Sequence, residues 1–183
     1  MSRYEKRKKY INSYAQDALG NWHYIGQWYV PQDVETKYEN YRKAFLCQIL
    51  LTALLTAAMG FLPAGPMLRI HGQWVNYVML CYGLQFIFAV AALRYAILIL
   101  NDRMRLMEYD IRYVTRIPGV TAACGTCAAA TAIAQLVYTI VSGFPEQLVW
   151  NIALAALAAV VSGTNFLFFR FLQKIPWQIR ENH

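Results

Sequence analysis

Cys124 and Cys127 stand two residues apart in the stretch AACGTCAAATA. A C-x-x-C pair can form a redox dithiol or supply half of a zinc site. The other two cysteines, Cys47 and Cys81, form no second pair in sequence. A closed zinc site takes four Cys or His donors, whereas His23, His71 and His183 are widely separated. The sharpest chemical reading left is a three-thiolate set for redox or soft-metal chemistry, with Cys47 approaching Cys124 and Cys127 from a neighbouring helix. The plainer reading is packing. Ala, Gly and Thr surround both cysteines, Gly125 with Ala129 makes a small-xxx-small pair, and Ala155, Ala159 and Gly163 repeat the device later in the chain. Small residues of this kind let membrane helices approach closely.

A second constellation is polar. Gln48, Thr52 and Thr56 recur at i, i+4 and i+8 within one apolar run, and Cys124, Cys127, Thr131 and Gln135 follow a similar period in another. Gln85, Ser162 and Asn165 lie in the two remaining runs. Polar groups facing lipid are costly, so Thr52, Thr56, Gln85, Thr131, Gln135 and Ser162 are expected to face one another as a seam. The seam reads either as interhelical hydrogen bonding or as a hydrated path. Arg94 is the embedded charge farthest from a run's end; it either snorkels to lipid phosphate or holds an anionic group with Gln48 and Asn165. No Asp or Glu falls in the apolar runs, which removes the usual coupling residue of a secondary transporter. There is no Ser-His-Asp set, Gly-rich phosphate loop or helix-borne zinc motif, so no catalytic residue and no cofactor is expected.

The elements that must carry these residues follow from composition. The chain of 183 residues is 58% hydrophobic and 15% charged. Uncharged or nearly uncharged stretches long enough to cross a bilayer occur at 44–62, 75–100, 118–142 and 148–172. Pro63, Gly65 and Pro66 close the first, and Gly143 and Pro145 close the third. Pro118 is placed as the first-turn residue of the third helix, which sets Cys124 roughly 9 Å below the membrane surface at 1.5 Å per residue.

Lys and Arg cluster before residue 44, between the second and third stretches, and in the tail. The positive-inside rule then places both termini in the cytosol, with two short hairpins facing out. The net charge of +7 is explained by attraction to anionic lipid headgroups, without nucleic acid. No apolar core with a small-residue cleavage site occurs in residues 1–43, so the first stretch is expected to remain as an anchor.

The leader combines Lys6, Arg7, Lys8 and Lys9 with Trp22, Tyr24, Trp28 and Tyr29. Such a segment suits the membrane surface or a partner interface. A short extended hairpin is expected within 21–30. The stripe Val34, Tyr38, Tyr41 and Phe45 then predicts a helix that begins before the membrane and continues into it. The segment between the second and third stretches reads as helical extension plus a turn.

The expected architecture is an all-α membrane protein: a four-transmembrane-helix bundle over 44–172, a cytosolic leader over 1–43 and a cytosolic tail over 173–183. It is placed in the cytoplasmic membrane of a bacterium-like cell. The expected role is non-enzymatic, an accessory or scaffold subunit with a protein partner or a second copy in the membrane. A small transporter using the seam is the first alternative, and a thiol oxidoreductase or metal-handling protein using Cys124 and Cys127 the second.

Overall fold

The computed structural model describes residues 13–62, 73–101, 104, 106–107, 111–142 and 148–180. The basic cluster Lys6 to Lys9 and the segments 63–72 and 143–147 lie outside the described residues.

The leader folds before the first helix begins. Strand β1 (Tyr14–Gln16) pairs antiparallel with β2 (Trp22–Tyr24), with Tyr14 opposite Tyr24. Asp17 makes the turn: its Oδ1 accepts the N–H groups of Leu19 and Asn21 at 2.9 and 2.8 Å, as Asp does in Asx turns. Gly20 completes it at φ 86°, a conformation glycine adopts without strain. Strand β3 (Trp28–Pro31) follows and leads directly into helix α1 (Val34–Phe61). The stripe read from the sequence thus lies on one continuous helix. Leu62 ends it in an extended conformation at ψ 143°, as expected for a residue preceding proline.

Helix α2 (Gln73–Asn101) ends in a closing bond from the Met104 N–H to the Ile99 carbonyl at 3.0 Å. Met104 has φ 62°, which is uncommon outside glycine, and its side chain is fully buried. This reversal delivers β4 (Leu106–Met107). Helix α3 (Ile111–Ser142) and helix α4 (Leu148–Gln173) complete the bundle, and strand β5 (Trp177–Arg180) follows. Two expectations are corrected here. Pro118 lies inside α3 rather than at its start, because nothing in residues 111–117 breaks a helix; the proline withholds one N–H from the Val114 carbonyl and crowds that oxygen with its ring, a cost that the helix tolerates. The molecule is also mostly helical rather than all-α, since β3 is the centre of a three-stranded antiparallel sheet in the order β4-β3-β5.

That sheet joins the leader, the segment between α2 and α3, and the tail at one end of the bundle. Trp28 pairs with Met107 on one side and with Arg180 on the other. The Gln32 N–H donates to the Pro176 carbonyl at 2.8 Å and extends the connection.

The core has two apolar parts. Beneath the sheet, Val30, Tyr41, Phe45, Ile99, Met104, Leu106, Phe168 and Leu172 pack together, with the Phe45 and Phe168 rings 5.1 Å apart edge to face. Toward the other end the packing uses smaller residues, Ala128, Ala132 and Ala158, against Met59, Tyr82, Leu154 and Val161. In ring order α1 touches α2 and α4, and α3 touches the same two helices, so α1 and α3 face each other across a diagonal.

All four helices are long and apolar enough to cross a membrane. Their outer faces carry Leu50, Leu54, Leu80, Ile87, Ile97, Ile140 and Leu167, while Thr52, Thr56, Gln85, Thr131, Gln135, Asn151 and Asn165 are buried. Apolar outside and polar inside is the arrangement that a hydrocarbon solvent favours.

Candidate functional site

The seam forms a chain of cross-links between adjacent helices. Asn165 Nδ2 on α4 donates to Thr52 Oγ1 on α1 at 3.3 Å, and to the Val161 carbonyl of its own helix at 2.9 Å. Gln48 Nε2 donates to the same Thr52 oxygen at 3.0 Å. From α2, Gln85 Nε2 donates to Thr56 Oγ1 at 3.1 Å and Tyr82 Oη to the Thr56 carbonyl at 2.8 Å. The Cys124 thiol of α3 points at the Gln85 carbonyl at 3.7 Å. Finally Gln135 of α3 donates to Asn151 Oδ1 of α4 at 2.9 Å. Each of the four neighbouring helix pairs therefore has at least one polar contact.

Thr131 is buried but bonds its own helix at the Cys127 carbonyl, 2.9 Å away. Ser162 is half-buried, and its backbone oxygen faces Gly125. A Cβ on Gly125 would lie 3.2 Å from the Asn165 Cβ, so α3 and α4 meet there as the small-residue reading anticipated. The corresponding stripe on α4 is different. Ala155 is buried but Ala159 and Gly163 are exposed, and the contact face runs through Leu154, Ala155, Ala158, Val161 and Asn165.

Between the helices lies a small cavity lined by Gln48, Thr52, Ala89, Thr121 and Asn165 among others. It brings together Gln48 and Asn165, two of the three residues read as an anion or headgroup contact. Arg94 is exposed on the outside of α2 and does not line it. Thr121 was missed as a polar-seam residue. Its spacing from Cys124, Ala128, Thr131 and Gln135, all on one face of α3, was the available signal.

The thiol set is not assembled. Cys47 is exposed because it lies opposite the buried stripe Phe45, Ile49 and Thr52, whereas Cys124 is buried. The diagonal placement of α1 and α3 separates them further. All the cysteines are free thiols, and no cluster of three or more His, Cys, Asp or Glu side chains able to hold a metal occurs among the described residues.

At the sheet end the aromatic leader is largely consumed by its own fold. Tyr24 is buried between Tyr14 and Trp28, with ring centroids 5.4 and 5.0 Å away, and Trp28 and Tyr29 pack against the core. Of the four leader aromatics read as a contact surface, Trp22 alone stays exposed, at 64%. Leu19 in the turn, at 87%, and Ile25 accompany it. Asp17 holds this hairpin through His23, whose Nε2 lies 2.7 Å from Asp17 Oδ2. That contact and the Asn21 N–H hold the Asp17 carboxyl below its ordinary value of 3.8. At the foot of α1, Lys37 and Tyr41 donate to the Asp33 carboxylate at 2.6 and 2.7 Å and lower its pKa in the same way.

The arrangement is a bundle of four helices long and apolar enough to span a membrane, with a cross-linked polar interior and a sheet over one end. Compared with family models, with curated proteins and with solved structures, the chain matches none of them.

Proposed function

We propose that the protein is a non-enzymatic, multi-pass subunit of a membrane complex, acting through the face built by its sheet and β1–β2 hairpin. In this reading the face is cytosolic, both termini lie on that side of a bacterial-type cytoplasmic membrane, and the basic leader rests against anionic headgroups. The observation that carries it is the hairpin itself. A turn ordered by Asp17 and Gly20 presents Leu19 and Trp22 outward, away from the apolar core under the sheet. Exposed aromatic and aliphatic side chains on a rigid element are the composition of a docking surface. The seam supports the same reading, because its side chains are mainly engaged with one another, as packing requires.

A native mass spectrum of the protein extracted in mild detergent tests this. The expected result is a stoichiometric protein partner, or a second copy, that is lost in the Leu19→Ser/Trp22→Ser variant while the bundle stays folded by circular dichroism. A monomer carrying only lipid would overturn the proposal. Small transport is the second reading, favoured by the polar side chains of Thr52, Thr56, Gln85, Gln135 and Asn165 buried along the bundle interior. Water-soluble thiol reagents reaching Cys124 from either side of a native membrane would move it to the front.

A further inference from the structure

Three threonines of α3 share a habit that Thr121 breaks. Thr126, Thr131 and Thr139 each donate to the carbonyl four residues earlier, at 2.9, 2.9 and 2.7 Å, which is how a hydroxyl is satisfied in apolar surroundings. Thr121 is 1% exposed, and its Oγ1 has no protein hydrogen-bond partner. The side chain lines the cavity instead, across the bundle axis from Gln48 and Thr52 of α1 and beside Asn165 of α4.

We propose that this cavity is a binding site for a single structural water molecule, held by Thr121 Oγ1 on one side and by the Thr52, Gln48 and Asn165 side chains on the other. Size decides the class of ligand. The cavity offers about 10 Å³ of room, on the order of what one water needs and too little for an organic solute. Partner chemistry agrees. A buried water needs two to four polar neighbours, roughly the number these four side chains supply. Thr52 Oγ1 already accepts from Gln48 and Asn165, so its own proton is available to donate, while the Thr121 hydroxyl can donate or accept. Charge argues against a metal cation of similar size, because no carboxylate lines the cavity to compensate it.

The position gives the water a structural task. Direct polar contacts join every pair of adjacent helices, but α1 and α3 face each other diagonally. A water between Thr52 and Thr121 would link this diagonal pair at the level of the cavity and satisfy a hydroxyl that is otherwise buried without a protein partner.

The test is a structure of the intact protein in lipid nanodiscs at a resolution that shows ordered water, together with water-to-protein nuclear Overhauser transfer at the Thr121 methyl. The expected result is one density peak within hydrogen-bonding distance of Thr121 Oγ1 and of at least one of Thr52, Gln48 and Asn165. It is retained in Thr121→Ser and lost in the isosteric Thr121→Val. A wild-type cavity without density, or a Thr121 hydroxyl rotated onto the Ile117 carbonyl, overturns the proposal. So does a peak that strengthens with sodium and vanishes in its absence, which would mark a cation site. If Thr121→Val does not fold, the wild-type Overhauser transfer decides alone: transfer at the Thr121 methyl supports the water, and its absence overturns it.

Discussion

Asn165 and Thr52 are 113 positions apart in the chain, yet the Asn165 amide donates to the Thr52 hydroxyl at 3.3 Å and ties the last helix to the first. The bond closes the ring of four helices. It also borders the central cavity, so the same residues pack the bundle and line the space at its centre.

A double-mutant cycle isolates that bond. Thr52→Val and Asn165→Leu should each destabilise the protein, with a coupling energy of about 0.6 kcal/mol, the usual size of an interhelical hydrogen bond in a membrane. Unfolding in mixed micelles, followed by circular dichroism, gives the value. Strict additivity would mean that the two residues contribute independently.

Two glycines one helix apart should respond oppositely to the same substitution. A Cβ on Gly125 would lie 3.2 Å from the Asn165 Cβ and 3.4 Å from the Ser162 carbonyl oxygen, so Gly125→Ala should cost about 1–3 kcal/mol as α3 and α4 are forced apart. On Gly163 a Cβ would meet nothing within 4 Å, and Gly163→Ala should be neutral or stabilise by up to about 1 kcal/mol through helix propensity. Equal effects in the same unfolding measurement would refute the close approach at Gly125.

The cysteines should separate by accessibility. In mild detergent, N-ethylmaleimide counted by intact mass should modify exposed Cys47 first and reach buried Cys124 only after denaturation. Comparable rates at the two positions would mean that the bundle opens at the level of the seam.

Acid should loosen the hairpin through Asp17. Its folded pKa is depressed below 3.8, mainly by His23, so the stabilisation is present above that value and is lost as pH falls through the folded one. The amide resonances of Leu19 and Asn21, which donate to Asp17 Oδ1, should therefore collapse below pH 3.8, and Asp17→Asn should remove that acid transition. An identical acid transition in the variant would assign it to another group.

Local pattern alone determined much of this protein. Long uncharged runs between proline and glycine breakers marked the four helices, because a helix that meets lipid must satisfy its backbone internally. The spacing of Tyr41, Phe45, Thr52 and Thr56 marked the inner face of α1, periodicity marked Thr56 and Gln135 as inward-facing, and the cost of a polar group against lipid marked Gln85. Only the tertiary structure decided which of these met. Strands of two to four residues at Trp28, Leu106 and Trp177 carry no local signal of pairing, since their hydrogen bonds go to segments distant in sequence. The ring order of the helices was equally silent. Spacing placed Cys47 and Cys124 at similar depths, but α1 and α3 lie across a diagonal, so one thiol faces outward and the other is buried. Thr121 looked like one more small residue until three other helices enclosed its hydroxyl.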